Sequence, residues 1–133
     1  MKKEIDVVCA GIATWDTLVT GVDSDVMEID SALSSGFLSS SGGDAVNAAI
    51  TLAHNGIKTA VCGCIGNDSA GAMVLSDLKR SGVITDYMTV REDVNTASPV
   101  LLIDRSGERH IIRVPNTGNR KFSEEMVPDE LLR

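Results

Sequence analysis

Aromatic residues are almost missing from this 133-residue chain: one Trp, one Tyr and two Phe make up 3% of it. Trp15, Phe37, Tyr87 and Phe122 are thus the only Trp, Tyr or Phe rings available to stack on a base. Basic residues are absent over a long stretch. Between Glu4 and Ile57 there is no Lys or Arg, against eight Asp or Glu. Such a segment repels nucleic acid and offers a phosphate no side-chain cation. No apolar run approaches the ~20 residues needed to span a bilayer. In Met1-Lys2-Lys3-Glu4-Ile5-Asp6-Val7 acidic residues interrupt any signal-peptide core, so a cytoplasmic protein without a membrane partner is expected. Cysteine is scarce. Cys9, Cys62 and Cys64 are odd in number and sit in strand-like runs, which argues against a disulfide framework. Cys62-x-Cys64 is too tight for a zinc knuckle, and His54 and His110 are isolated in sequence, so no metal site is expected.

What is present describes a globular domain: 43% hydrophobic residues, 23% charged, net charge −7. The length suits a single core and is too short for most two-lobed enzymes. Ile5–Ile12 is β-branched and nearly continuously apolar, as expected of a strand buried on both faces. Thr17–Thr20 and Gly36–Ser39 predict short strands of an exposed sheet. Ser41-Gly42-Gly43-Asp44 breaks the chain and opens a helix, with Val46, Ala49, Ile50 and Ala53 on one stripe and Asn55-Gly56 as its end. Thr59–Ile65 is a second buried strand. Asn67-Asp68-Ser69 supplies an N-cap, and the next helix runs to about Arg80 with Val74, Leu75 and Leu78 inward and Gly82 beyond. Strand, helix, strand, helix indicates βαβ units and a parallel sheet. Pro99–Asp104 and Arg109–Val114 predict an antiparallel hairpin, and Phe122–Arg133 predicts capped helical turns interrupted by Pro128.

Four stretches, in order and spacing, resemble the ribokinase-like (PfkB-type) carbohydrate kinases. They are Gly11-Ile12-Ala13-Thr14-Trp15-Asp16 after the first strand, Gly42-Gly43-Asp44-Ala45-Val46-Asn47-Ala48-Ala49, Gly63-Cys64-Ile65-Gly66-Asn67-Asp68-Ser69-Ala70-Gly71, and Asn116-Thr117-Gly118-Asn119 after the hairpin. The resemblance implies an α/β fold: part of a three-layer α/β/α core with a parallel sheet, plus a small antiparallel β lid. Residues 1–133 would be the N-terminal part of the kinase domain, with lid segments at about 16–41 and 96–114. It implies ATP with Mg²⁺ and transfer of the γ-phosphoryl to a sugar hydroxyl. The family's catalytic base, in a Gly-Ala-Gly-Asp segment, and most of the ATP site are expected beyond Arg133. On that expectation the chain ends by truncation, holds no catalytic residue and is inactive alone.

The resemblance assigns the substrate site to Thr14, Asp16, Gly42, Gly43, Asp44 and Asn47. A carboxylate has two acceptor oxygens and no donor, which suits Asp16 to a diol presenting two hydroxyls. Gly42 and Gly43 let backbone approach a ligand closely, and the amide of Asn47 can both donate and accept. This is not a Walker A loop, since no Gly-Lys-Ser/Thr follows. Asp44 beside a ligand would disfavour an anion by on the order of 1 kcal/mol at ~4–6 Å. With the cation-free first half this leads to the expectation of a neutral acceptor, offset only if Arg105, Arg109 or Arg113 of the lid reaches the ligand. A nucleoside, whose ribose presents the same diol, is the alternative acceptor. A sugar-binding or assembly module without catalysis is the alternative outside enzymes, and the apolar hairpin positions Val100, Leu102, Ile112 and Val114 make a homodimer through the lid an expectation.

Overall fold

The computed structural model describes residues 4–132. Met1–Lys3, part of the N-terminal segment read above, and Arg133, the last residue of the expected helical turns, lie outside the described residues. The chain builds two sheets. The first is parallel, in the order β1-β4-β5, from β1 (Val7–Ala10), β4 (Thr59–Gly66) and β5 (Met88–Arg91). The second has the order β3-β2-β6-β7, from β2 (Thr14–Val22), β3 (Gly36–Gly42), β6 (Val100–Asp104) and β7 (Arg109–Ile112). It is antiparallel except where β2 and β6 run parallel.

The apolar run Thr59–Gly66 is the centre of the first sheet, and every residue of β4 is buried. Helices α1 (Asp44–His54) and α2 (Ser69–Arg80) both pack on its Val61 and Ile65 face, through Ala45, Val46, Ala49, Val74 and Leu78. These are the stripes the 3.6-residue period predicts. Gly56 and Gly82 end the two helices at φ 81°, where a side chain would be strained. Two expectations change. The run Ile5–Ile12 forms only four residues of strand, and these are half-buried or exposed rather than buried on both faces. The reason is that β1 has a single neighbour, β4, among the described residues. The second is β5, a short Met-Thr-Val-Arg strand that the sequence pattern does not announce.

Asp68 joins these elements to the segment that leads into the second sheet. Its Oδ1 accepts from Gly71 N at 2.8 Å, capping α2, and from the Thr96 hydroxyl at 2.7 Å. Its Oδ2 accepts from Thr96 N at 2.8 Å. Thr96 is itself buried and its hydroxyl oxygen accepts from Gly66 N. Burial alone would raise the pKa of Asp68, but the hydrogen bonds from Thr96 and Gly71 outweigh it and hold the carboxyl below its ordinary range. A depressed folded-state pKa gives stability that is present above the unfolded carboxylate value and is lost as pH falls through the folded one. Asp68→Ala would leave the N–H of buried Thr96 without its acceptor and its hydroxyl with only the long contact to Gly66 O, and is expected to cost about 2–4 kcal/mol in urea unfolding. Asp68→Asn, which cannot gain that proton, should flatten the loss of stability as pH falls below the ordinary carboxylate range. An unchanged acid limb would show that Asp68 is not the titrating group.

Candidate functional site

The two sheets meet where β1 passes into β2 and β3 passes into α1. Gly43, the residue before α1, has φ 93°, and a Cβ there would overlap the carbonyl of Ile12. Glycine is required for this contact. The next residue closes the junction: Asp44 Oδ1 accepts from Ile12 N at 3.1 Å and from Ala45 N at 2.8 Å. Asn119 clamps the same connection from the other side. Its Oδ1 accepts from Ala13 N and its Nδ2 donates to Ala13 O, both at 3.1 Å. It stands on a single helical turn, α3 (Gly118–Lys121), seated on β4, where a Cβ on Gly118 would overlap Cys64 O.

Successive strand residues alternate faces. Thr14, Asp16 and Leu18 therefore share one face of the second sheet with Ser40 and Gly42, opposite which they pair in β3. Leu101 and Ile111 lie on that face too. Over it lies a cavity of about 590 Å³ whose walls include Thr14, Asp16, Gly43, Ser98, Thr117 and Asn119. The Thr14 hydroxyl is buried and has no hydrogen-bond partner among the described residues. A buried hydroxyl in that condition is costly unless something polar reaches it. Gly42 makes the space beside it: a Cβ there would overlap the Asp16 carboxylate and stand 2.9 Å from Thr14 Oγ1.

Of the six expected site residues, the structure brings Thr14, Asp16, Gly42 and Gly43 together. It does not bring Asn47, which is exposed on α1 away from the cavity walls. Asp44 is a structural acceptor for two backbone N–H groups through Oδ1, and it is not among the residues that line the cavity. Asp16, expected just past the first parallel strand, lies inside β2. Trp15 points the other way and packs on the core. Asn119 and Thr117 belong to the quoted Asn-Thr-Gly-Asn stretch but were not assigned a role, and Asn116 instead donates to Asp93 O. Two cations also line the cavity, Arg113 after β7 and Arg120 in α3.

His110 is not isolated. Its Nε2 is 3.7 Å from Asp104 Oδ2, and Asp104, Glu108 and His110 gather at the hairpin turn. There Asp104 Oδ1 accepts from the Ser106 hydroxyl, Ser106 N and Glu108 N, which hold its carboxyl below the ordinary range. The three thiols are free, and burial pushes all three up in pKa, so none is a ready nucleophile. Among the described residues no helix is long and apolar enough to cross a membrane.

Comparison with known proteins agrees with this geometry. A family model described as pfkB family carbohydrate kinase matches residues 4–132. The chain belongs to that family. It is 31% identical over 81 residues to a ribokinase of Schizosaccharomyces pombe, covering 58% of this chain and 26% of the relative. It is 32% identical over 92 residues to an ATP-dependent ribose-1-phosphate kinase of Halopiger xanaduensis, covering 69% and 29%. The solved structure of a Xylella fastidiosa fructokinase with bound ATP superposes with a TM-score of 0.74 at 25% identity, over 93% of this chain and 37% of that one. The chain thus spans well under half of the pfkB relatives it matches, and the shared fold is the ribokinase-like α/β arrangement.

The two site glycines separate by experiment. Gly43→Ala, at positive φ against the Ile12 carbonyl, is expected to lose at least about 2 kcal/mol in urea unfolding. Gly42→Ala meets only side-chain oxygens and is expected to stay within about 1 kcal/mol of wild type while displacing the Asp16 carboxylate, read from its side-chain NMR shift. Equal stability of the two variants would show that the Ile12 contact yields.

Proposed function

We propose that the protein phosphorylates a hydroxyl of a sugar with ATP, and that this chain supplies the acceptor-binding surface and the lid over it. One observation carries the reading. An uncommitted buried hydroxyl, Thr14 Oγ1, and the Asp16 carboxylate stand together on the lid face of a cavity of about 590 Å³. A sugar presents hydroxyls that satisfy both, donating to the carboxylate and exchanging a hydrogen bond with the threonine.

In the reaction the acceptor oxygen forms a bond to the γ-phosphorus while the bond from that phosphorus to the ADP oxygen breaks, and the hydroxyl proton passes to a base. ATP, with Mg²⁺, supplies the phosphoryl group. The described residues do not themselves fit the metal: the cavity offers one carboxylate, and the Asp104, Glu108 and His110 group sits apart on the hairpin turn, whereas Mg²⁺ favours six oxygen ligands. The Gly-Ala-Gly-Asp segment that the resemblance gives the base is not in this sequence. The work of this chain is therefore positioning. Asp16 and Thr14 orient the sugar, and the apolar side chains Leu101, Ile111 and Val114 on the same walls exclude water from it.

A sugar is favoured over a nucleoside as acceptor because among the described residues no aromatic side chain lines the cavity and Trp15 is engaged in the core. In an ADP-release assay on the full-length protein, Asp16→Ala is expected to lower kcat/KM at least a hundredfold on the best sugar. A loss below tenfold, about 1.4 kcal/mol, would take Asp16 out of contact with the acceptor. Tight sugar binding without ADP release would instead favour a module that binds and does not catalyse.

A further inference from the structure

We infer that the acceptor sugar carries an anionic group, a phosphate or a carboxylate, held at the Arg113 and Arg120 side of the cavity. The inference rests on the sugar-kinase reading and departs from the neutral acceptor that the first half of the sequence suggests. That expectation stood on Asp44 facing the ligand and on the absence of Lys or Arg between Glu4 and Ile57. Asp44 is taken up by Ile12 N and Ala45 N and does not line the cavity. The cations come from later in the chain, where the hairpin returns to the core: Arg113 follows β7 and Arg120 lies in α3.

Three observations support a ligand role for them. Arg80, Arg91 and Arg105 each pair with a nearby aspartate, whereas Arg113 and Arg120 have no ion-pair partner among the described residues. Neither pairs with Asp16, although all three border the same space. The walls therefore carry two guanidinium groups against one carboxylate, a surplus of positive charge in a chain whose net charge is −7. The backbone that carries the exposed Arg120 is anchored, because the adjacent Asn119 is bonded through both side-chain atoms to Ala13, the residue before Thr14. A sugar bound with hydroxyls at Asp16 and Thr14 thus extends toward planar, fork-shaped donors that match a phosphate or carboxylate in two parallel hydrogen bonds.

The test is an ADP-release assay on the full-length protein with matched acceptors: ribose against ribose 5-phosphate, fructose against fructose 6-phosphate, and glucose against gluconate. The expected result is a kcat/KM at least tenfold higher for an anionic member than for its neutral partner. Preference for a sugar phosphate or for gluconate identifies which anion the site takes. Arg113→Gln and Arg120→Gln should each bring the anionic-to-neutral ratio down at least fivefold, chiefly through KM, and Arg113→Lys should keep part of it. A neutral sugar turned over as well as or better than its anionic partner overturns this inference and leaves the kinase reading standing. So does a preference that survives both Gln substitutions. Failure to release ADP with any carbohydrate overturns the kinase reading, and this inference with it.

Discussion

The junction of the two sheets closes on one carboxylate oxygen. Asp44 Oδ1 receives the N–H of Ile12, in the link between β1 and β2, and the N–H of Ala45, in the first turn of α1. The link can come that close only because Gly43 has no side chain to meet the Ile12 carbonyl. Everything that borders the cavity from β2 follows from this contact. Thr14 begins the strand two residues past Ile12, so the distance and angle of the second sheet over the first are set at the junction. Asn119 repeats the constraint from α3 through Ala13. The site is held by backbone groups, which have few ways to relax.

The acidic composition acquires a meaning from the same pattern. Asp44, Asp68, Asp77 and Asp104 each accept backbone N–H groups: Ile12 and Ala45, Gly71 and Thr96, Ser41, and Ser106 with Glu108. Asp77, which Arg80 also pairs with, pins the end of β3 to α2. These carboxylates do the work that a larger apolar core would otherwise do in joining short strands and loops. Asp16 is the contrast, a carboxylate on the cavity wall with no backbone N–H donated to it among the described residues.

Much of this was legible in the sequence, and what was not has definite causes. The stripes Val46, Ala49, Ile50 and Val74, Leu78 repeat at the helical period and pack as that period requires. The β4 run is apolar at every position after Thr59 and sits in the middle of its sheet. By contrast, β5 is four residues long and half-buried, too short for a pattern to rise above chance. Asp44 and Asn47 were expected at the ligand from the family resemblance, and a resemblance of sequence does not say which way a side chain turns. One turned to the backbone and the other to solvent. Arg120 gave no signal because its place depends on α3 folding back onto β4, a contact between segments far apart in the chain.

The parallel pairing of β2 with β6 bears on the order in which the molecule assembles. Thr17 lies beside Val100, while β3, α1, β4, α2 and β5 come between them in sequence. No hairpin turn can bring these two strands together. The loop between them is closed cheaply only after β1, α1, β4 and α2 have docked and shortened the path. Loop-closure entropy therefore favours late formation of the second sheet.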